Sequence, residues 1–433
     1  MDIAGLRLSI NGENIPTLNI YNFSITFSME THLPYGTIVL RDEDSSSLQK
    51  FNFAIGSFVF ATFIESSGTL SGSDNSHVSW CPLVITKIFH DNEIAPSELG
   101  GFLTLAVSHP WELFRDYSPH AYGNQKISSL VQKIIKDDTR GMAFTVKDKF
   151  IGTTDDKGNC PRYKVNESDY DFILNKLLPY SSIAGDPVHF FVDENGYAHF
   201  HSLKSMLTSS VLALVTPSDT GSEKAGQQVR DQAKNSGDIY LPFNKFYLSV
   251  GGGSQVNYIQ SVKPKIYIED LGTHKNFMIN KTATSFISKE SGKNSGNKIP
   301  ISIGAIAGSP STNSFAFLNR SADDQAGLST NAVRNADKIF LMTVDTLFTG
   351  IEVPIGSCVN VFVPIERDPI VYKANAKSHW LCGKWVVYQA THSMVKPSAP
   401  EQGMVTNLVL ARPTFVINSD STSLSNPNQY WSI

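Results

Sequence analysis

The chain has 433 residues, of which 41% are hydrophobic and 18% are charged, and its formal net charge at pH 7 is −4. This length suits two or three domains that each bury a core, and the composition argues against disorder and against a coiled coil. The weak negative charge gives no electrostatic basis for binding nucleic acid or an anionic membrane surface.

The compartment can be predicted from the N-terminus and the cysteines. The first ten residues, MDIAGLRLSI, lack the basic segment and apolar core of a signal peptide, and no apolar run approaches the roughly 20 residues of a membrane-spanning helix. Cys81, Cys160, Cys358 and Cys382 are far apart and form no CxxC pair. We therefore expect folding in a cytoplasm, with reduced and mostly buried thiols.

Hydrophobic alternation predicts β-strands in the first hundred residues. Tyr21, Phe23, Ile25 and Phe27 alternate with polar residues, which is the pattern of a half-buried strand. Similar runs occupy residues 37–40, 57–64, 83–89 and 102–107. Residues 1–108 are therefore predicted to form a small antiparallel β-barrel or sandwich.

The hydrophobic period changes to that of helices after residue 109. One helix face is formed by Ile127, Leu130, Val131, Ile134 and Ile135. A second helix is predicted from Ser168, where Ser-Asp-Tyr-Asp resembles a capping box with Asp in place of Glu. Its apolar face comprises Tyr170, Ile173, Leu174, Leu177 and Leu178.

A β-hairpin is predicted directly after the second helix. Its strands are residues 188–192 and 197–203, and its turn is Asp193-Glu194-Asn195-Gly196. With the two helices, this hairpin makes residues 109–240 an α/β connecting domain that ends in a polar linker.

A second β-unit is predicted in residues 241–413. Strand-like runs occupy residues 245–250, 258–268, 339–346, 359–363, 385–391 and 404–411. Residues 217–240 and 288–300 are polar and aperiodic, so we expect long surface excursions there. No exact internal repeat is visible, but two β-units of similar size suggest a duplication and predict two barrels of related topology.

Paired carboxylates are candidate catalytic groups, because a glycoside hydrolase needs two that face each other across a cleft. The pairs are Asp155/Asp156, Glu269/Asp270 and Asp323/Asp324. Adjacent residues on a strand point to opposite faces, so we interpret them as solvated turns. The sequence has no GxSxG elbow, HExxH helix or phosphate loop, and Gly251-Gly252-Gly253 is interpreted as a strand end or bulge.

The histidines and Cys160 are the other candidates. His199 and His201 share a strand face, a spacing that metal sites use, and His189 lies nearby in sequence. Without a cysteine or carboxylate at a fixed offset, we interpret all three as histidines on the hairpin surface. His392 is interpreted as a hydrogen-bonded core or interface histidine. Cys160 is not interpreted as a nucleophile. We assign no catalytic residue, no cofactor and no metal.

The order of segments resembles a known family. Residues 163–173, YKVNESDYDFI, followed by a helix and a hairpin, are similar to the "Glu-Ser-Asp, helix, hairpin" core of phage tail hub proteins and of type VI secretion spikes. Residues 350–364, GIEVPIGSCVNVFVP, resemble the family's turn, "Pro-x-Gly" and strand. Gly383-Lys384-Trp385-Val386-Val387 and His392 resemble a later strand.

The resemblance implies a fold that is mainly β with an α/β insert, in which two tail-tube-like antiparallel barrels are joined by a small α/β domain. It implies a virion protein of the tail or baseplate, assembled in the bacterial cytoplasm and not an enzyme. Three subunits would close into a pseudo-hexameric ring between the tail tube and the central spike, around the DNA channel. The implied partners are itself as a homotrimer, the tube or tube-initiator protein, the spike and other baseplate proteins, with no specific nucleic-acid binding and no membrane insertion.

The ring lumen should be acidic or neutral, since a basic wall would hold DNA phosphates. Residues 414–433 should form an extended tail whose final Tyr430 and Trp431 anchor it to a partner. The alternatives are a tail-associated peptidoglycan hydrolase, which predicts turnover, and a carbohydrate-binding surface protein, which predicts saturable sugar binding.

Overall fold

The computed structural model describes residues 5–16, 19–42, 51–64, 77–91, 101–136, 150–159, 161–218, 230–231, 233–250, 265–270, 275–280, 314–317, 340–346, 351–362, 382–395 and 403–412. The predictions for Cys160, Gly251-Gly252-Gly253, Asp323, Asp324, residues 288–300 and the tail 414–433 lie outside the described residues.

The described part of the first barrel contains eight strands. They are β1 (Gly5–Ile10), β2 (Glu13–Ile15), β3 (Ile20–Ser28), β4 (Tyr35–Asp42), β5 (Phe58–Ile64), β6 (His77–Ser79), β7 (Leu83–Asp91) and β8 (Gly101–Ser108). Six of them lie in the order β1-β5-β7-β8-β4-β3, and each neighbouring pair is antiparallel. In β8, Leu103, Leu105 and Val107 are buried while Phe102 and Thr104 are half-buried, which is the predicted alternation.

The connecting domain has helices α1 (Ile127–Lys136), α2 (Asp169–Phe172) and α3 (Leu203–Leu207) and strands β9 (His120–Tyr122), β10 (Arg162–Lys164), β11 (Ser182–Ile183), β12 (Asp186–Val192) and β13 (Ala198–Ser202). Two short 3-10 turns span Pro110–Glu112 and Leu178–Tyr180. Strands β9 and β10 pair, and β11, β12 and β13 form a second antiparallel sheet. All five residues of the predicted apolar face of α1 are buried, which confirms that helix.

The second predicted helix is confirmed at its start and differs further along. The Ser168 hydroxyl oxygen accepts a hydrogen bond from the Asp171 N–H at 3.0 Å, which caps α2. After Phe172 the helix widens into a π-helical turn over Ile173–Leu177. Phe172, just before this turn, is fully buried, whereas the predicted Leu174 within the turn is only half-buried.

The second barrel is a closed ring of six strands. They are β14 (Val211–Pro217), β15 (Ile239–Val250), β19 (Phe340–Thr346), β20 (Cys358–Val361), β21 (Gly383–Val395) and β22 (Gly403–Arg412). Their order is β14-β15-β19-β22-β21-β20, and β20 pairs again with β14. A separate sheet of β16 (Lys265–Asp270), β17 (Lys275–Asn280) and β18 (Ser314–Phe317) lies within the insertion between β15 and β19.

Three sequence expectations differ from the structure here. Strand β14 was placed in the connecting domain 109–240, but it pairs with β15 and β20 and so lies in the second barrel. The predicted excursion 217–240 includes helical residues 233–236, and Ala233 packs against Leu214 because this segment covers the barrel wall. The predicted strand 258–268 is described only from Lys265, and it belongs to the separate sheet.

The two barrels have the same strand order. The short β2 and β6 are left out, and the remaining six strands of each barrel are numbered in chain order. The first barrel then reads first, fourth, fifth, sixth, third, second from β1, and the second barrel gives the same order when it is read from β14 toward β20. Equivalent strand pairs also have bulges at equivalent places. In β7–β8 and β21–β22, the bulges lie between Ile85 and Lys87 and between Val387 and Gln389. In β3–β4 and β15–β19, they lie between Ile20 and Asn22 and between Phe243 and Lys245. One strand differs in direction, because β1 is antiparallel to β5 whereas β14 is parallel to β20. The related topology that the duplication predicts is therefore present.

A short repeat marks the duplication in sequence. Ile-Gly-Ser occurs at residues 55–57 and at residues 355–357. Gly56 N–H donates to the Ile85 carbonyl and Gly356 N–H to the Val387 carbonyl, each at 2.8 Å. Both glycines have positive φ, 90° and 83°, a conformation that favours glycine. Our expectation of no exact repeat overlooked this tripeptide, because three residues in a long chain are not distinctive.

Candidate assembly site

The two barrels are joined edge to edge by β3 and β21. The antiparallel register runs from Gln389 opposite Ser28 to Met394 opposite Phe23. The hydroxyl oxygens of Thr26 and Thr391 lie 3.1 Å apart across this seam. One sheet therefore passes from the first barrel into the second, and the seam shows how one barrel extends another through a strand edge.

The turn of the β12–β13 hairpin extends from the connecting domain to this seam. The predicted hairpin and its Asp193–Gly196 turn are confirmed. The Asp193 carboxylate oxygen Oδ1 accepts hydrogen bonds from the N–H groups of Asn195 at 3.0 Å and Tyr197 at 2.9 Å, which fixes the turn. Gly196 has a φ of 77°, and a Cβ there would lie 2.9 Å from the Cys81 Cβ. The glycine thus permits close approach to the first barrel.

Glu194, at the tip of this turn, contacts both barrels. Its carbonyl accepts a hydrogen bond from Cys81 N–H of the first barrel at 2.7 Å. In the second barrel, Ile355 N–H donates to Glu194 Oε2 at 2.9 Å, and His392 Nε2 lies 3.4 Å from Oε1. One buried residue therefore ties the connecting domain to both barrels.

The protonation states at this junction follow from burial. Burial, and after it the nearby Asp193 carboxylate, raise the pKa of the Glu194 carboxyl to about 8. Burial lowers the pKa of the His392 imidazole to about 3. At neutral pH a protonated Glu194 can thus donate to the neutral His392 Nε2, while His392 Nδ1–H donates to Thr406 Oγ1 at 3.0 Å. This arrangement avoids an unpaired buried charge.

A cleft of about 350 Å³ lies where the three units meet. It is lined by Val78 and Ser79 of the first barrel, Glu194 and Asn195 of the hairpin, and Ile351, Glu352 and Pro354 of the second barrel. Although two carboxyl side chains line it, only 2% of the Glu194 side chain is exposed and its two oxygens are engaged by Ile355 and His392. Glu194 is therefore a structural tie, and it leaves no free carboxyl oxygen for a substrate.

The predicted hairpin-surface position of the histidines is wrong. His189 and His199 are buried, with 3% and 6% of their surfaces exposed, and His201 is half-buried. His199 Nε2 lies 2.8 Å from Asp193 Oδ2, and its ring stacks on Phe191 with centroids 4.5 Å apart. The hairpin packs against the barrels, which is why its face is covered. In the part of the chain that the structure describes, no group of three or more His, Cys, Asp or Glu side chains could hold a metal ion.

The interpretation of His392 as a hydrogen-bonded core histidine is confirmed. Its side chain is fully buried, and both ring nitrogens have partners in Thr406 and Glu194. The Trp80 ring lies 4.6 Å away between centroids. The neutral ring thus belongs to packing at the seam.

The carboxylates Asp155 and Asp156 point in opposite directions, as predicted, but only Asp155 is solvated. Asp155 accepts hydrogen bonds from Ala184 N–H and Gly185 N–H, both at 2.9 Å. Asp156 is buried and accepts from Ile127 N–H at 3.2 Å, at the start of α1. The prediction of a solvated turn is wrong for Asp156, because its carboxylate serves the first turn of that helix. Glu269 and Asp270 lie on β16, in the separate sheet.

The described cysteines Cys81, Cys358 and Cys382 are reduced and buried, as expected. Burial raises the pKa of the Cys81 thiol well above its usual range and that of the Cys358 thiol to about 11. Neither thiol is therefore activated as a nucleophile.

A buried ion pair holds the segment of residues 163–173 in place. The Lys164 side chain is fully buried, and its Nζ donates to Asp169 Oδ1 at 2.9 Å and to the Asp116 carbonyl at 3.0 Å. Asp169 begins α2, directly after the cap Ser168. The Glu-Ser-Asp motif therefore combines a helix cap with a countercharge for Lys164.

Sequence reasoning missed Glu194 and the Lys164–Asp169 pair as important residues. The available signals were an acidic residue in a predicted Asn-Gly-type turn and a Lys five residues before an Asp. Neither pattern shows burial, so neither distinguishes a solvated charge from these buried ones.

The fold is similar to that of two tail proteins. The tail protein from Neisseria meningitidis MC58 gives a TM-score of 0.54 at 8% identity, over 95% of this chain and 97% of that chain. The 43 kDa tail protein of prophage MuSo2 from Shewanella oneidensis gives 0.51 at 9% identity, over 95% and 98%. No family model and no curated protein matches the sequence. The predicted fold class, mainly β with an α/β insert, is confirmed, and the fold resembles that of these two tail proteins. None of the described helices is long and apolar enough to span a membrane.

Proposed function

We propose that this chain is a structural hub of a phage tail or baseplate that works by assembly and without catalysis. In this proposal three copies form a homotrimeric, pseudo-hexameric ring around the DNA channel, between the sixfold tail tube and the threefold central spike. Other baseplate proteins bind its periphery. The protein assembles in the host cytoplasm and remains in the virion.

The duplicated strand order supports this proposal. Two barrels with the same strand order and the same bulges lie in one chain, joined through β3 and β21. Three copies would present six equivalent barrels, which matches a sixfold partner. The connecting domain occurs once per chain, so it would repeat three times and match a threefold partner. Cyclic closure of this kind uses heterologous interfaces.

Native mass spectrometry and electron microscopy of the full chain test the proposal. We expect a trimer of a 47.6 kDa chain and a ring whose class averages show six barrel densities on one face and three on the other. A monomer at every concentration, both alone and with tube or spike proteins of the same phage, would contradict it.

Assays with purified peptidoglycan and a glycan panel address the two alternatives. We expect neither turnover nor saturable sugar binding. The engaged carboxyl oxygens of Glu194 support this expectation, since a glycoside hydrolase acid must reach the glycosidic oxygen.

A further inference from the structure

The seam between the barrels uses only one half of β21. On one side of this strand, residues Gly383 to Val386 pair with β20 and residues Gln389 to Met394 pair with β3. On its other side β21 pairs with β22 along most of its length. The far half of β21 is therefore an edge that receives a strand from another barrel.

The equivalent strand in the first barrel has the same edge without a strand on it. Strand β7 pairs with β5 only through Leu83 and Val84, the positions equivalent to Trp385 and Val386. Within the described residues, no strand pairs with β7 on that side beyond Val84. By the shared bulge, Lys87 is equivalent to Gln389 and Phe89 to Thr391.

The strand equivalent to β3 also has an open edge. Strand β15 corresponds to β3, and the shared bulge makes Phe246 equivalent to Phe23. Strand β14 pairs with β15 only as far as Phe243. Beyond that residue, the described part of the chain supplies no strand on this side of β15.

The exposed fractions of equivalent side chains in the two barrels differ, as expected if β7 and β15 each lack a neighbouring strand. Phe23 is fully buried in the seam, whereas 45% of Phe246 is exposed. Phe89 is 54% exposed, while its equivalent Thr391 is half-buried. Tyr247, with 71% exposed, lies on the same open stretch of β15. Large apolar groups on an unpaired strand edge mark an interaction surface.

We propose that β15 of one chain pairs antiparallel with β7 of a second copy, in the register that places Phe89 opposite Ser249. This register is the intramolecular one carried to the equivalent strands, since Thr391 lies opposite Thr26 and Ser249 is equivalent to Thr26. The proposal rests on the proposed ring and names its intersubunit contact. Each copy supplies one β7 edge and one β15 edge, so the contact is heterologous and repeats around a ring.

Disulfide trapping in the full chain tests the contact. In the variant Phe89→Cys/Ser249→Cys, directly opposite residues of an antiparallel pair would bring Cα atoms within about 4.4–6.8 Å, which a disulfide spans. We expect covalent dimers and trimers on non-reducing gels after mild oxidation. The control Thr26→Cys/Thr391→Cys places the two cysteines opposite each other across the seam within one chain. It should therefore form an intramolecular disulfide and no covalent oligomer.

A second control shifts the register. In Phe89→Cys/Leu248→Cys the new thiols point to opposite faces of the sheet, so we expect at least tenfold less cross-linked product. Single Phe89→Cys and Ser249→Cys variants should remain monomeric on the gel. Covalent dimers from either single variant would reveal a twofold contact and overturn the proposal.

Native mass separates failure of this contact from failure of the ring. A native trimer in which Phe89→Cys/Ser249→Cys gives no cross-link, while Thr26→Cys/Thr391→Cys forms its disulfide, overturns the contact and leaves the ring intact. A native monomer without cross-links at any concentration, alone or with tube or spike proteins, overturns both.

Discussion

Glu194 and His392 lie 3.4 Å apart between Oε1 and Nε2, although 198 residues of chain separate them. They belong to different units, the connecting domain and the second barrel. Because Glu194 also bonds Cys81 of the first barrel, this contact joins the connecting domain to the seam between the barrels.

Substitution of Glu194 should distinguish hydrogen bonding from charge. Glu194→Gln keeps an oxygen for Ile355 N–H and supplies an N–H for His392, so we expect a free energy of unfolding within about 1 kcal/mol of the original below pH 4.5, where Glu194 is protonated in both the folded and the unfolded chain. Glu194→Ala leaves both partners without this side chain, so we expect a further loss of about 1–3 kcal/mol. Urea denaturation measures both. Equal losses in the two variants would contradict the proposed hydrogen bonds.

The stability of the fold should depend on pH through buried groups. Glu194 has its pKa raised to about 8, so its contribution is complete below 4.5 and is lost as the pH rises toward 8. His392 and His109 have pKa values lowered to about 3, so their contributions are complete above 6.5 and are lost as the pH falls toward 3. We expect the free energy of unfolding to be greatest near pH 6.5.

Urea titrations at a series of pH values, with Glu194→Gln as the matched variant, measure this profile. The variant should lose the decline between pH 6.5 and 8 and keep the decline at low pH. An unchanged decline above pH 6.5 in Glu194→Gln would assign the titration to another group.

Removal of Lys164 should destabilise the connecting domain. Lys164→Met leaves the buried Asp169 carboxylate without its cation, and breaking such a pair costs about 3–5 kcal/mol. The double variant Lys164→Met/Asp169→Asn removes the uncompensated charge, so we expect it to recover part of the loss. Chemical denaturation compares them, and a double variant less stable than Lys164→Met would contradict the ion-pair argument.

The two Ile-Gly-Ser loops provide a matched comparison. Gly56→Ala places an L side chain at positive φ with only Phe114 Cζ near, at 3.7 Å, so we expect a strain cost of about 1–2 kcal/mol. Gly356→Ala adds a clash, because a Cβ would lie 2.7 Å from Phe191 Cζ, and overpacking costs about 1–3 kcal/mol more. Thermal unfolding of both variants gives the difference. A larger loss of stability for Gly56→Ala than for Gly356→Ala would contradict the predicted clash with Phe191.

The sequence predicted the local elements better than their assembly. The periodicity of α1 and the Asn-Gly turn of the hairpin depend on near neighbours, so both are confirmed. Strand β14 was misassigned because its position depends on pairing with β20, far along the chain. Burial of Asp156, Glu194 and His199 also arises from packing between distant segments, which a local pattern does not encode.

The seam between the barrels also determines when the fold can be completed during synthesis. Thr26 and Thr391 meet across 365 residues, and at 5–20 residues per second the ribosome needs roughly 20–70 s to add that length. Throughout this interval the edge of β3 lacks its native neighbour. A β21 strand from an adjacent nascent chain could occupy that edge, because both chains carry the same strand. Domain swapping is therefore the main misfolding route that we expect when several ribosomes synthesise this protein close together.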